Sequence, residues 1–382
     1  MKNTIILTLF LFLTNSISSQ ITDQKIESAK LGETRTFKIQ VPKSYETNTD
    51  QTYPLFIVLD GDYLFDIVAG NVRYYAYWED IPEAIIVGVN QEQSRDYDIM
   101  YSEENFLPLE SGADFFEFIG LELVPFLEQN YRTANFRIAV GHGKTANFIN
   151  YYLFKSNPLF QAYINISPEL APEMEQNITK RFLEFPDKYF YYLATASNDL
   201  KRVRKGVEAL NINLSSIKNE ALNYSFDDFQ GPTHYSIAAH AIPKALEHIF
   251  YAFQPISKQE YKDKILVLDY SPVDYLKEKY QMVNDLFGIN KKVLINDFRA
   301  ISSAIEKNEL YEYYQDLSRL ASKDYPDTLL GTYYLARYYE EMGEPKKAYR
   351  TYKSGYVLDE VAGITKDYML EMAEQIKADF GF

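Results

Sequence analysis

The sequence predicts an α/β fold, a mostly parallel sheet covered by helices on both faces, followed by an all-α C-terminal segment. Three observations carry that reading. Short continuous apolar runs alternate with helix-compatible stretches through the first part of the 382 residues. One run, residues 136–140, leads through a Gly-His-Gly turn straight into a helical pattern at 147–154. After about residue 254 strand signals give way to long periodic helices, dividing the chain into 20–254 and 255–382. A hydrophobic content of 46% is enough for one large core and a smaller second unit.

In chain order, residues 1–19 read as a secretory signal peptide. Met1-Lys2-Asn3-Thr4 precedes an apolar stretch from Ile5 to Leu13, too short for a bilayer, and Ser16 and Ser18 supply the small side chains that cleavage requires. The mature protein is expected to be exported, periplasmic or secreted, with no membrane span once the signal is removed. Residues 33–41 alternate towards their end and predict a strand with one solvated face. Residues 53–60 and 84–89 are apolar throughout, as strands buried on both faces are. Residues 112–125 predict a helix, and 162–166 and 189–194 further buried strands. Near the C-terminus Ala336, Tyr339, Gly343, Ala348, Tyr352 and Gly355 fall at tetratricopeptide (TPR) spacing, with Glu360 where the repeat usually ends in proline. Residues 295–321 resemble a preceding helix pair. One clear repeat is too little for a long groove, because each unit needs neighbours to bury its face. The TPR-like domain is therefore expected to cap the sheet domain, with a protein partner on these helices as the alternative.

Composition narrows the chemistry. A net charge of −15 repels phosphate backbones, which excludes nucleic acid as a partner. With no cysteine there are no disulfides and no thiolate sites. The four histidines, His142, His234, His240 and His248, show no metal-ligand spacing, so neither a metal nor a cofactor is expected. The 34 tyrosines and 25 phenylalanines read as a compositional bias.

The strand, turn and helix at 136–154 supply the context of a nucleophile elbow, G-x-S-x-G. Here the residues are Gly141-His142-Gly143-Lys144-Thr145, with glycine in the serine's place. Glycine tolerates the strained elbow backbone while removing the hydroxyl. Further matches are PLFIVLDGD at 54–62, IPEAIIVGV at 81–89 followed by Arg95-Asp96, GADFF at 112–116 and LVPF at 123–126. They continue with YRT at 131–133, LFQAYI at 159–164 with ISP at 166–168, and THYS at 233–236. Together, in this order, they resemble the esterase family that includes esterase D and the enterochelin esterases. The resemblance covers roughly residues 30–252 and implies an α/β-hydrolase fold and ester hydrolysis. Family members read G-H-S-x-G-G at the elbow, so this chain departs at the nucleophile and both following glycines.

The resemblance places the catalytic base at His234, while His240 and His248 fall in the next helix as surface or packing residues. It places the acid at Asp199, with Asp227 and Asp228 as rivals. The oxyanion hole would use the backbone N–H of Lys144 and one from the turn Asp60-Gly61-Asp62. Lys144, Thr145 and Ser236 are the nearest substitutes for the missing serine, and none has the required position. Three functions follow: a pseudo-esterase binding a small ester, acyl-sugar or siderophore-like ligand; an active carboxylic-ester hydrolase with an unusual nucleophile or water attack; or a scaffold acting through its TPR-type helices.

Overall fold

The computed structural model describes residues 21–382, so the expected signal peptide at 1–19 lies outside the described residues. Among them are eight strands: β1 (Ile21–Ser28), β2 (Glu33–Gln40), β3 (Tyr53–Val58), β4 (Ile85–Val89), β5 (Thr133–His142), β6 (Ala162–Ile166), β7 (Tyr189–Asn198) and β8 (Leu222–Thr233). They form one sheet in the order β1-β2-β4-β3-β5-β6-β7-β8. β2 pairs antiparallel with β1 and β4, and every pairing from β4 through to β8 is parallel.

The apolar runs explain the centre of the sheet. Every residue of β3, β4 and β6 is buried, because helices cover both faces. Alternation along β3 sends Leu55 and Ile57 to one core and Phe56 and Val58 to the other. The first core is closed by Phe115, Leu127, Phe182 and Val207 from helices Ser111–Glu117, Val124–Asn130, Met174–Glu184 and Lys201–Ser215. The second is closed by α1 (Gly61–Tyr77) and by helix Ala238–Ile249. The single helix expected at 112–125 is interrupted by a π-helical stretch, Phe118–Leu123, and restarts at Val124 with Pro125 in its first turn, where the missing N–H costs nothing.

Beyond residue 254 the longer helices are Pro272–Phe287, Ile295–Lys307, Tyr314–Asp324, Leu329–Glu341, Pro345–Ser354 and Lys366–Phe380. The first packs on the sheet. Its Phe287 ring lies 4.9 Å from Phe136 and 5.2 Å from Phe250, and Val283, Phe287 and Ile289 belong to the second core. In the hairpin of Leu329–Glu341 and Pro345–Ser354, Ala336, Ala348 and Tyr352 are buried, and the Tyr352 hydroxyl donates to Glu340. Among the described residues no helix is long and apolar enough to cross a membrane.

Candidate functional site

The site lies at the C-terminal ends of the parallel strands, where chain direction brings β5, β7 and the loop after β8 together. β5 ends at His142, and the helix Lys144–Ile149 begins one residue after Gly143. Gly143 has φ 62° and ψ −119°, a conformation that side chains other than glycine's adopt only under strain. Its N–H donates to Ile166 O at 3.0 Å, while its carbonyl accepts from Asn147 N and Glu169 N. The turn is thus held by β6 and by the loop that follows it.

A β-carbon placed on Gly143 would lie 3.4 Å from His234 Nε2. A serine hydroxyl carried on that carbon reaches hydrogen-bond distance of the ring. His234 Nδ1 is 2.8 Å from Asp199 Oδ1. A carboxylate accepts, so Nδ1 carries the proton, and Nε2 is left as the basic nitrogen aimed at the vacant position. Asp199 also accepts from Ser167 Oγ at 2.6 Å, Thr195 Oγ1 at 2.9 Å and Leu200 N at 2.7 Å. Burial pushes the Asp199 carboxyl up, but the bonds from His234, Ser167 and Thr195 outweigh it and hold it below its ordinary value.

The rival acids are engaged elsewhere. Asp227 accepts from the Tyr192 hydroxyl at 2.7 Å, and Asp228 forms a two-pronged pair with Arg204 at 2.7 Å on each prong. The substitute nucleophiles are equally committed. Thr145 Oγ1 donates to Asp60 and accepts from His142 N, Lys144 Nζ reaches Asp96 at 3.1 Å, and Ser236 Oγ accepts from Thr233 N. His240 is exposed, and His248 Nε2 donates to Asn223 O, so both lie away from the elbow.

Behind the turn is a network that sequence reasoning did not find. His142 Nε2 donates to His234 O at 2.8 Å, and His142 Nδ1 lies 3.0 Å from the Tyr63 hydroxyl. That hydroxyl is also 3.0 Å from Asp60 Oδ2, so its single proton serves either the carboxylate or the imidazole. Burial, and then the adjacent His234 ring, lower His142 below its ordinary value, which favours the neutral ring as acceptor. Arg95 grips Asp60 through Nε at 2.5 Å and Nη2 at 3.0 Å, with Nη2 also 3.2 Å from His142 O. Arg95, Asp60 and Ser167 all stand in stretches that resemble the esterases. Their roles depend on partners 35 to 47 residues away for Arg95 and 32 for Ser167, which no local pattern reveals.

The expected oxyanion donors are placed as follows. Lys144 opens its helix, so its N–H has no intrahelical acceptor. Gly61 opens α1 beside Asp60, which adopts a left-handed conformation with φ 55°. The Asp62 carboxylate turns to the next loop and accepts from Gln91 N at 2.6 Å and Glu92 N at 2.9 Å. A cavity of about 350 Å³ adjoins the elbow, lined by Lys144, Asn147, Leu170, Met100 and Tyr101. The pairs Lys144–Asp96 and Arg202–Glu169 stand in the same wall. Among the described residues no three His, Cys, Asp or Glu side chains cluster closely enough to hold a metal ion.

Comparison with known proteins bears on this arrangement. Residues 28–203 match the family model described as "Putative esterase". No curated protein matches the chain. Among solved structures, an uncharacterised protein from Capnocytophaga ochracea is 28% identical with a TM-score of 0.85, over 94% of this chain and 100% of its own. An IroE-like serine hydrolase from Shewanella oneidensis is 21% identical with a TM-score of 0.59, over 78% of this chain and 98% of its own. The siderophore hydrolase EstA from Aspergillus nidulans is 15% identical with a TM-score of 0.51, over 61% of this chain and 94% of its own. The last two likenesses are of fold. Residues 28–203 are thus similar to the esterase family, within an α/β-hydrolase-like sheet that runs on to Thr233 and is followed by a region of C-terminal helices.

Proposed function

We propose that this chain is an exported pseudo-esterase, which binds a small ester, acyl-sugar or siderophore-like ligand over the elbow without forming an acyl intermediate. The observation that carries the reading is Gly143 with His234 Nε2 3.4 Å from the position of its absent β-carbon. A carboxylate, a histidine and the turn stand in the arrangement of a triad, while the hydroxyl is missing and Thr145 and Ala146 replace the two glycines that follow it in the family. Losing the nucleophile of such a triad typically lowers kcat by about 10⁶, leaving the small rate that binding and oxyanion stabilisation provide. The adjoining cavity, with apolar and charged walls, supplies room for the ligand. The names of the fold relatives, a serine hydrolase and a siderophore hydrolase, support the ligand class. The leader-like residues 1–19 support export.

A second reading rests on the same basic nitrogen. His234 Nε2 could take a proton from a water seated in the vacant position as the water oxygen attacks an ester carbonyl. The proton then passes to the departing alkoxide, giving acid and alcohol, with Asp199 stabilising the imidazolium between the two steps. Short and medium acyl nitrophenyl esters separate the readings. A silent wild type, a gain of at least about 10³-fold in Gly143→Ser and loss of that gain in Gly143→Ser/His234→Ala support the binding protein. Wild-type turnover that His234→Ala abolishes overturns it in favour of water attack.

A further inference from the structure

Two side chains converge on the space that Gly143 leaves. His234 Nε2 lies 3.4 Å, and Arg95 Nη2 4.0 Å, from the position that a β-carbon on Gly143 would take. Each side chain is held from behind by a buried carboxylate. Asp199 accepts from His234 Nδ1, and Asp60 accepts from Arg95 Nε and Nη2, with Nη2 also donating to His142 O. His234 Nε2 and Arg95 Nη1 are left without a hydrogen-bond partner among the described residues. Both are reached by solvent, since neither is an enclosed atom and the Arg95 and His234 side chains are 31% and 11% exposed. Groups fixed this firmly have little freedom left to lose when a ligand meets them.

The open nitrogens describe what they would bind. Arginine presents its N–H groups as a planar fork, which matches the two coplanar oxygens of a carboxylate. An ester offers one good acceptor, and its alkyl group stands where the second carboxylate oxygen would be. The His234 proton is on Nδ1, so an anion at Nε2 brings a proton to that nitrogen. Around the ring stand Asp199, the neutral His142, Tyr235 and Arg95, with the Lys144–Asp96 pair on the cavity wall beyond. Asp199 supports the imidazolium, and a carboxylate placed between it and Arg95 offsets the repulsion of the two cations. Because anion and proton enter together, the net charge of −15 does not oppose the acid.

We infer that the elbow selects a free carboxylic acid over its ester, an inference that rests on the binding function proposed above. One carboxylate oxygen takes the place of the missing hydroxyl against His234 Nε2, and the other accepts from Arg95 Nη1. The apolar chain of the acid lies in the adjoining cavity of about 350 Å³, beside Leu170, Met100 and Tyr101.

Isothermal titration of the full chain at about pH 8 with hexanoate, hexanamide and methyl hexanoate tests the selection. Hexanoate is expected to bind at one site, about 10-fold or more tighter than either neutral probe. Repeating the titration in buffers of different ionisation enthalpy should show uptake of about one proton with hexanoate and none with the ester. Gly143→Ala, which fills the space with a methyl group and supplies no nucleophile, should abolish the preference, and His234→Gln should abolish the proton uptake. Arg95→Lys keeps a cation for Asp60 but loses the open fork, and should weaken hexanoate about 10-fold while the neutral probes change little. A wild type that binds hexanoate no more tightly than the neutral probes, or without taking up a proton, overturns the inference, as does a preference that survives Gly143→Ala. The wild-type titrations stand even where a variant is destabilised. Methyl hexanoate bound as tightly as the acid and not turned over sinks the carboxylate but keeps the binding function. Turnover of the ester sinks the binding function, and the hexanoate titration then still judges the carboxylate.

Discussion

At Gly143 the backbone of a nucleophile elbow is present without its side chain. The positive φ would strain a serine by about 1–3 kcal/mol, a cost that the hydrogen bonds holding the turn at Ile166, Asn147 and Glu169 are placed to absorb. Asp199 carries a testable stability effect. Its carboxyl is lowered in the folded protein, so the stability it contributes is fully present above its ordinary value of 3.8 and is lost as pH falls through the lowered one. Asp199→Asn, which cannot accept all of the bonds from His234, Ser167 and Thr195, should cost about 1–3 kcal/mol at pH 7 by urea denaturation. The gap should narrow only below about pH 4, and a gap that narrows between pH 7 and 5 would assign the effect to another group. His234 and Gly143 were legible in the sequence because order along an α/β sheet predicts which loops meet. The resemblance named Asp199 ahead of Asp227 and Asp228, but what faces each of the three, which sets the rivals apart, is seen only in the fold, since all follow β7 or lie in β8.

Among the elements, burial decided legibility. β3, β4 and β6 are apolar at nearly every position because helices cover both of their faces, and the sequence predicts each of them to within two residues. β1, ITDQKIES, and β8, LNYSFDDFQGPT, are the two edges of the sheet, paired on one side only and mostly half-buried or exposed. Polar residues there are compatible with a strand but do not announce one, so neither edge was predicted. The contact of α1 with β4 is as demanding as any in the sheet. A β-carbon on Gly61 would lie 2.5 Å from the Gly88 carbonyl carbon, and one on Gly88 would lie 2.7 Å from Phe65. Gly61→Ala should therefore force α1 outward and cost about 1–3 kcal/mol. Equilibrium denaturation reads the loss, and an unchanged midpoint would mean that the helix shifts freely.

For the whole molecule, the helix Pro272–Phe287 joins the C-terminal helices to the sheet. Phe287 packs against Phe136, Phe190 and Phe250 and is fully buried among them. Phe287→Ala should cost about 3–5 kcal/mol and lower the stability of the sheet as well as of the helices. Thermal unfolding followed by far-UV circular dichroism and by Trp78 fluorescence, on α1's C-terminal end, should shift together; a shift confined to one probe would show that the two regions unfold separately. The change from strands to helices after residue 254 was plain from periodicity. The docking of Phe287 was not, because an aromatic on one helix face carries no label for what covers it.

The glycine at the elbow also decides what kind of signal the site can give. An acyl-enzyme accumulates with exposure and decays at its own rate, so its level at any moment reflects past encounters. No acyl group can be attached where Gly143 stands, so under the proposed binding function a ligand there would arrive and leave by exchange alone. On that proposal occupancy would follow the free concentration through [L]/(Kd + [L]), and the site would keep no memory of earlier exposure.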